Sequence, residues 1–212
     1  MAKARTKVTP VTHPALGRRA QNKLEKRERL RESAERLFMK QGFESTSTHQ
    51  VAEAAGVAKG TLFLYADNKN DLLFLVMHDR LERVVDERLA TLPKKGLVEQ
   101  VLYVFRGLFD MYGEVPELGK AFVSVLPGAT GLQADRVNAL TFSFMHRVTL
   151  LVQQAQAKGD VGPHADSAVA AQSIFALYFM ALLAWLSGLT DLDSAFESFR
   201  RSLEQYQRGL KP

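Results

Sequence analysis

From Asn22 onward, apolar residues recur at the three-and-four spacing that lines one face of a helix, and no segment alternates in the manner of a half-buried strand. A chain so patterned buries its apolar residues by packing helix on helix, so an all-α fold is expected. Leu30, Ala34, Leu37 and Phe38 recur among Arg and Glu, which predicts a first amphipathic helix from Asn22 to a stop at Gly42. Ser47 with Gln50 three residues on is a capping box, and it opens a helix of barely two turns that Gly56 breaks. Residues 58–65 make a short third helix, and Asp67 or Asn68 caps a fourth that reaches about Leu92. Past the punctuation of Pro93 to Gly96, helices are expected over 97–112, 118–126, 132–157, 166–187 and 193–208, with Asp191 and Asp193 as capping residues before the last.

At 212 residues, with 46% hydrophobic and 24% charged, the chain has ordinary globular usage, and a small module joined to a larger one fits its length. It has no cysteine, which excludes disulfides, thiolate metal sites and a cysteine nucleophile, and the reducing cytoplasm is the expected location. The first nineteen residues are basic but have no apolar run behind the charges, so no export signal is read there. None of the five histidines is spaced i, i+4 with another, and neither G-x-S-x-G nor a phosphate loop occurs. No metal, cofactor or catalytic site is therefore expected. The stretch 168–186 is apolar nearly all round and long enough to cross a bilayer. Gln172 and Ser173 interrupt it and no Lys or Arg flanks it closely, so a helix buried between its own core and a partner subunit is expected, with no membrane partner.

Charge is placed unevenly. Residues 1–73 carry 14 basic against 8 acidic side chains, and residues 74–212 carry 14 against 15. The positive field sits on the first third, which points to a polyanion partner for that part. Ser47 to Tyr65 has the layout of a helix-turn-helix: Ala52 is small where the helices cross, Gly56 makes the turn, and Val57 and Leu62 pack back on Val51 and Phe38. That leaves Thr48, His49, Lys59, Gly60, Thr61 and Tyr65 free to meet phosphates and base edges. A helical hairpin with a glycine turn also occurs in proteins that never touch DNA.

The residues are more specific than the pattern. Leu37-Phe38, Gly42-Phe43, Thr46-Ser47-Thr48, Val51-Ala52, Ala54-Ala55-Gly56-Val57, Lys59-Gly60-Thr61-Leu62-Phe63, Tyr65, Lys69 and Leu72-Leu73 closely resemble the N-terminal domain of TetR-family transcriptional repressors, over about residues 23–76. The resemblance implies a homodimeric repressor with a three-helix DNA-binding head and a larger helical body that binds an effector. It divides the chain into a flexible basic arm (1–21), a helix-turn-helix domain (22–69) and an effector-binding and dimerisation domain (70–212). By position, the DNA contacts it implies are Ser47, Thr48, His49, Lys59, Gly60, Thr61, Phe63, Tyr65 and Lys69, the last meeting a phosphate at a helix N-terminus. Three residues depart from the family. Ala58 stands for a capping serine, Phe63 for a phosphate-reaching tyrosine and so takes a packing role, and Ala66 for an aromatic, leaving space in the head.

In the second part, aromatic and Met residues at helical spacing mostly build core, yet they also suit a small apolar pocket between helices. Tyr103, Tyr112, Phe122, Phe142, Met145 and Tyr178 are the candidate pocket residues. Phe175, Leu182 and Leu186 on one helix, with Phe196, Phe199 and Leu203 on the next, are expected to form a four-helix dimer interface. The expected partners are a double-stranded DNA operator, a second copy of the chain and a small effector. An effector-independent helical DNA-binding protein is the alternative, and an enzyme using the apolar body is a distant third.

Overall fold

The computed structural model describes residues 17–211. Its helices are α1 (Arg18–Gln41), α2 (Thr48–Ala54), α3 (Lys59–Leu62), α4 (Lys69–Ala90), α5 (Leu97–Glu114), α6 (Pro116–Val125), α7 (Leu132–Ala157), α8 (Ser167–Leu186) and α9 (Leu192–Gly209), and no strand occurs among the described residues. Helices α1 to α3 and the start of α4 form a small head around Leu30, Ala34, Phe38, Val51, Ala52 and Leu62. Phe38 and Phe43 meet edge to face at 5.2 Å and close its base.

Local chemistry sets the boundaries. The Ser47 hydroxyl accepts the Gln50 N–H while the Gln50 side chain accepts the Ser47 N–H, the reciprocal capping box. Gly56 holds φ at 62°, the left-handed turn between α2 and α3. Of the two expected caps of α4, Asn68 is the one used, accepting the Asp71 N–H at 3.0 Å. Asp191 caps α9, whereas Asp193 lies in its first turn and pairs with Arg106 at 3.2 Å.

Two expected boundaries are corrected. Helix α1 starts at Arg18, not Asn22, because Ala20, Gln21 and Lys23 are sound helix formers and Gly17 supplies the carbonyl that the Ala20 and Gln21 N–H groups need. Residues 1–16 of the expected arm lie outside the described residues. Helix α3 covers four residues rather than 58–65, since Ala58 offers no capping oxygen and Gly60 sits inside the helix. Beyond it, turns carry the chain to Tyr65, with Leu64 N–H on the Thr61 carbonyl and Tyr65 N–H on that of Leu62.

In the body, α4 runs on from the head and packs on α5, α6 and α7, while α7, α8 and α9 pack in sequence and α9 returns onto α5. The centre is aromatic: Phe105 lies 4.7 Å from Tyr178 and 5.3 Å from both Phe144 and Phe199. Helix α8 is long and apolar enough to span a membrane by length and composition. It buries Ala170, Ala171, Ile174, Tyr178, Ala181 and Leu182 inside the protomer and leaves Val169 and Met180 exposed.

Candidate nucleic-acid interface and effector cavity

The capping box fixes the start of α2, so Ser47 and His49 stand exposed at its first turn with Thr48 half-buried beside them. Lys59 and Gly60 are exposed and Thr61 half-exposed on α3. No atom lies within 4 Å of where a Gly60 Cβ would stand, so nothing in the protomer demands glycine there and the gain is close approach from outside. Each of these six residues is exposed or half-exposed on the head.

The other expected contacts behave differently. Phe63 is 42% exposed, so it does not pack into the head as expected; its neighbour Leu64, which sequence reasoning passed over, is 74% exposed. Together they put apolar surface beside Thr61, chemistry that suits a thymine methyl. Tyr65, expected as a DNA contact, is 9% exposed and packs with the head's core, as does Ala66 beside it. Lys69, expected at a phosphate, is also held from within the head. Its Nζ donates to the carbonyls of Phe43 and Glu44, both at 3.0 Å, and lies 4.4 Å from the centre of the Phe43 ring. The ammonium is tied to the loop between α1 and α2, so its first role is to hold that loop.

Head and body are joined by charge. Arg27 and Arg31 of α1 reach Asp79 of α4 at 3.3 and 3.0 Å, and Arg80 of α4 reaches Glu35 of α1 at 2.7 Å and Glu114 of α5 at 3.3 Å. Burial would raise the Asp79 carboxyl, but His78 beside it and the Arg27 and Arg31 guanidiniums hold it below the usual range. His78, Asp79 and Glu82 also bring ligand-type atoms within 4.8 Å of one another, a grouping that a search for paired histidines misses. Asp79 is already neutralised by two arginines and Arg136 stands nearby, so the local field opposes a cation.

The body holds a partly open apolar cavity of about 60 Å³ among α4, α5, α6, α7 and α8. Of the expected pocket residues, Tyr112, Phe122 and Tyr178 line it, joined by Leu81, Val85, Leu140, Phe144, Phe175 and Phe179. Burial pushes both tyrosine hydroxyls up, so they stay protonated as donors. Three expected residues lie elsewhere. Tyr103 bonds Thr91 at 3.0 Å under the Arg88 guanidinium, Phe142 is 75% exposed, and Met145 is half-buried outside the cavity. Residues two apart on a helix differ by about 200°, so Phe144 faces inward and Phe142 outward.

The expected dimer residues are likewise redistributed. Leu182, Phe199 and Leu203 are each 1% exposed inside the protomer, and Phe175 and Leu182 line the cavity. Phe196 packs edge to face on Phe109 at 5.6 Å, and Leu186 is half-buried against the core. Leu182, Phe199 and Leu203 are thus spent on their own core, whereas Phe175, Leu186 and Phe196 are half-buried. The open face of α8 and α9 carries Val169, Ser173, Ala176, Leu177, Met180, Arg201, Ser202, Gln205 and Tyr206, much of it a shallow groove.

Residues 30–76 match the family described as bacterial regulatory proteins, tetR family. The chain is 28% identical over 176 residues to the HTH-type transcriptional repressor KstR of Rhodococcus jostii, covering 82% of this chain and 80% of that protein. Among solved structures it resembles Thermus thermophilus FadR, a TetR-family repressor in complex with lauroyl-CoA, with a TM-score of 0.66 and 23% identity over 85% of this chain and 94% of that one. It also resembles Bacillus subtilis FadR in complex with stearoyl-CoA, with a TM-score of 0.66 and 18% identity over 83% and 96% of the two chains.

Proposed function

We propose that the chain is a TetR-family transcriptional regulator, a cytoplasmic repressor that binds a palindromic operator as a homodimer and is released by a small, largely apolar effector. The observation that carries the regulatory part is the cavity's position. Leu81 and Val85 of its wall belong to α4, the same continuous helix that Arg27 and Arg31 grip from the head. At about 60 Å³ the cavity is far below the roughly 300 Å³ of a small ligand site. An effector must therefore part α4, α5, α7 and α8 to enter, and moving α4 moves the head. Release follows when the effector binds the parted form more tightly than the closed form.

The lining is apolar with two buried hydroxyls, which suits an acyl chain, and two structurally similar transcriptional regulators are complexes with acyl-CoA thioesters. The DNA-binding set is Ser47, Thr48, His49, Lys59, Gly60 and Thr61, and the dimer face is the open side of α8 and α9. The test is a gel-shift titration of the operator recovered from bound genomic DNA, with and without lauroyl-CoA. Release of a twofold-symmetric site, with a raised melting temperature of the free protein, is expected. Coating of DNA without regard to sequence, unaffected by lauroyl-CoA, would return the effector-independent reading.

A further inference from the structure

One buried hydrogen bond joins the recognition segment, α3 and the turn after it to Tyr65, to a helix that lines the cavity. Gln133, in the first turn of α7 and 3% exposed, donates from Nε2 to the Tyr65 carbonyl at 2.7 Å. That carbonyl lies where the turn after α3 ends. The other half of the amide, Oε1, is buried with no partner among the described residues. A buried amide satisfied on one side is a costly choice where leucine would fill the same space. Its donor is what the position uses.

The surroundings make this bond a linkage rather than a local tie. Two residues earlier, Gly131 adopts φ 101°, and a Cβ there would stand 3.9 Å from the carboxylates of Asp67 and Asp71, so the connection from α6 to α7 lies against the turn between α3 and α4. In the other direction α7 supplies Val137, Leu140, Thr141 and Phe144 to the cavity wall. Val137 is four residues from Gln133, one turn along the same face. One rigid helix thus touches the exit of the recognition segment at one end and the cavity further along.

We propose that Gln133 is a positioning residue that registers the recognition helix against the cavity, so that displacement of α7 by an occupant is passed to Tyr65 and the helix before it. The inference rests on the reading of the chain as an effector-released DNA-binding protein. The arginine contacts of α1 on α4 orient the head as a whole; Gln133 acts on the recognition segment itself.

The experiment is a double-mutant cycle on the full-length protein, with the recovered operator as probe and no effector present. Val137→Phe crowds the cavity wall in place of a ligand, and Gln133→Leu removes the linkage at near-constant volume. Each single change is expected to weaken operator binding about fivefold to tenfold, and the double no more than about tenfold, because linked residues do not act independently. Thermal melting checks that each variant is folded, and Leu140→Phe replaces Val137→Phe if the latter is not. A double variant whose loss is the product of the singles, or a folded single with unchanged affinity, would overturn the linkage. A wild-type protein that recovers no operator overturns the DNA-binding reading before any variant is made, and the linkage with it.

Discussion

Arg31 of α1 and Asp79 of α4 meet at 3.0 Å, Nε to Oδ2, with the guanidinium 8% and the carboxylate 20% exposed. Arg31 is also held by Glu28 and by Glu35, so it is paired on three sides and its charge is reinforced well above the ordinary arginine range, chiefly by Glu28. Asp79 is therefore the body's grip on a buried arginine of the head. His78 Nδ1 lies 3.8 Å from the same carboxylate, beyond hydrogen-bond reach.

Asp79→Asn is expected to lower stability by about 1–3 kcal/mol, because Arg27 and Arg31 lose their shared acceptor charge in a partly buried site. The Asp79 carboxyl is held below its ordinary range in the folded state, so its contribution is complete at neutral pH and is lost as pH falls through and below that range. Urea unfolding of the wild type and Asp79→Asn at neutral and acidic pH should show a gap that closes in acid. A constant gap would mean that shape, not charge, matters at this contact.

Lys59→Ala and Thr61→Ala should each weaken specific operator binding by roughly 1–3 kcal/mol where a base edge is contacted, with no change in melting temperature. Lys59 is exposed and Thr61 half-exposed on α3. Lys69→Met should do the reverse. It removes the donor to the carbonyls of Phe43 and Glu44, so the free protein should melt lower, consistent with a loss of about 1–2 kcal/mol. Calorimetry without DNA, set beside operator titrations, separates the two behaviours. An unchanged melting temperature for Lys69→Met with weaker DNA binding would restore the phosphate contact.

Periodicity and caps made the helices legible in the sequence because both are local. Ser47 with Gln50, Gly56 and Asp191 each act within a few residues, and each does in the structure what its spacing implies. What failed was direction. Phe142 and Phe144 carry the same apolar signal, yet only Phe144 faces inward. Phe199 and Leu203 read as a surplus stripe, but α5 and α8 absorb it, as the Phe105 contacts on Tyr178 and Phe199 show. Lys69 at a helix N-terminus suggested an anion, and only the folded loop supplies the Phe43 and Glu44 carbonyls that hold it. Gln133 carried no sequence signal, since its partner is a backbone carbonyl 68 residues away.

The redistribution of the α8 and α9 faces changes what disrupts the dimer. Phe199→Glu with Leu203→Glu would place two charges in the protomer core and should abolish folding rather than make monomers. Leu177→Glu with Met180→Glu alters the open face instead, where Met180 is 68% exposed. Light scattering should find a folded monomer for the second pair, and operator affinity should fall because half-sites are no longer bound together. A dimer of unchanged mass after that change would move the interface to another face of the body.

Gly119 and Tyr112 supply the last test, because their contact leaves the cavity as the nearest slack. A Cβ on Gly119 would stand 2.6 Å from Tyr112 Cδ1 and 3.3 Å from Cε1, closer than carbon atoms pack. Both residues are buried, and the Tyr112 ring forms part of the cavity wall. Gly119→Ala must therefore push the ring inward, at an overpacking cost of about 1–3 kcal/mol. The displaced ring also occupies volume that an effector would use, so the melting-temperature gain with lauroyl-CoA should shrink. In a Tyr112→Leu background the obstructing ring is gone, and adding Gly119→Ala should then cost no more than about 0.5 kcal/mol. Urea unfolding of the two singles and the double measures that coupling. Additive losses would mean that Gly119 is required by the backbone of α6 and not by the tyrosine that lies against it.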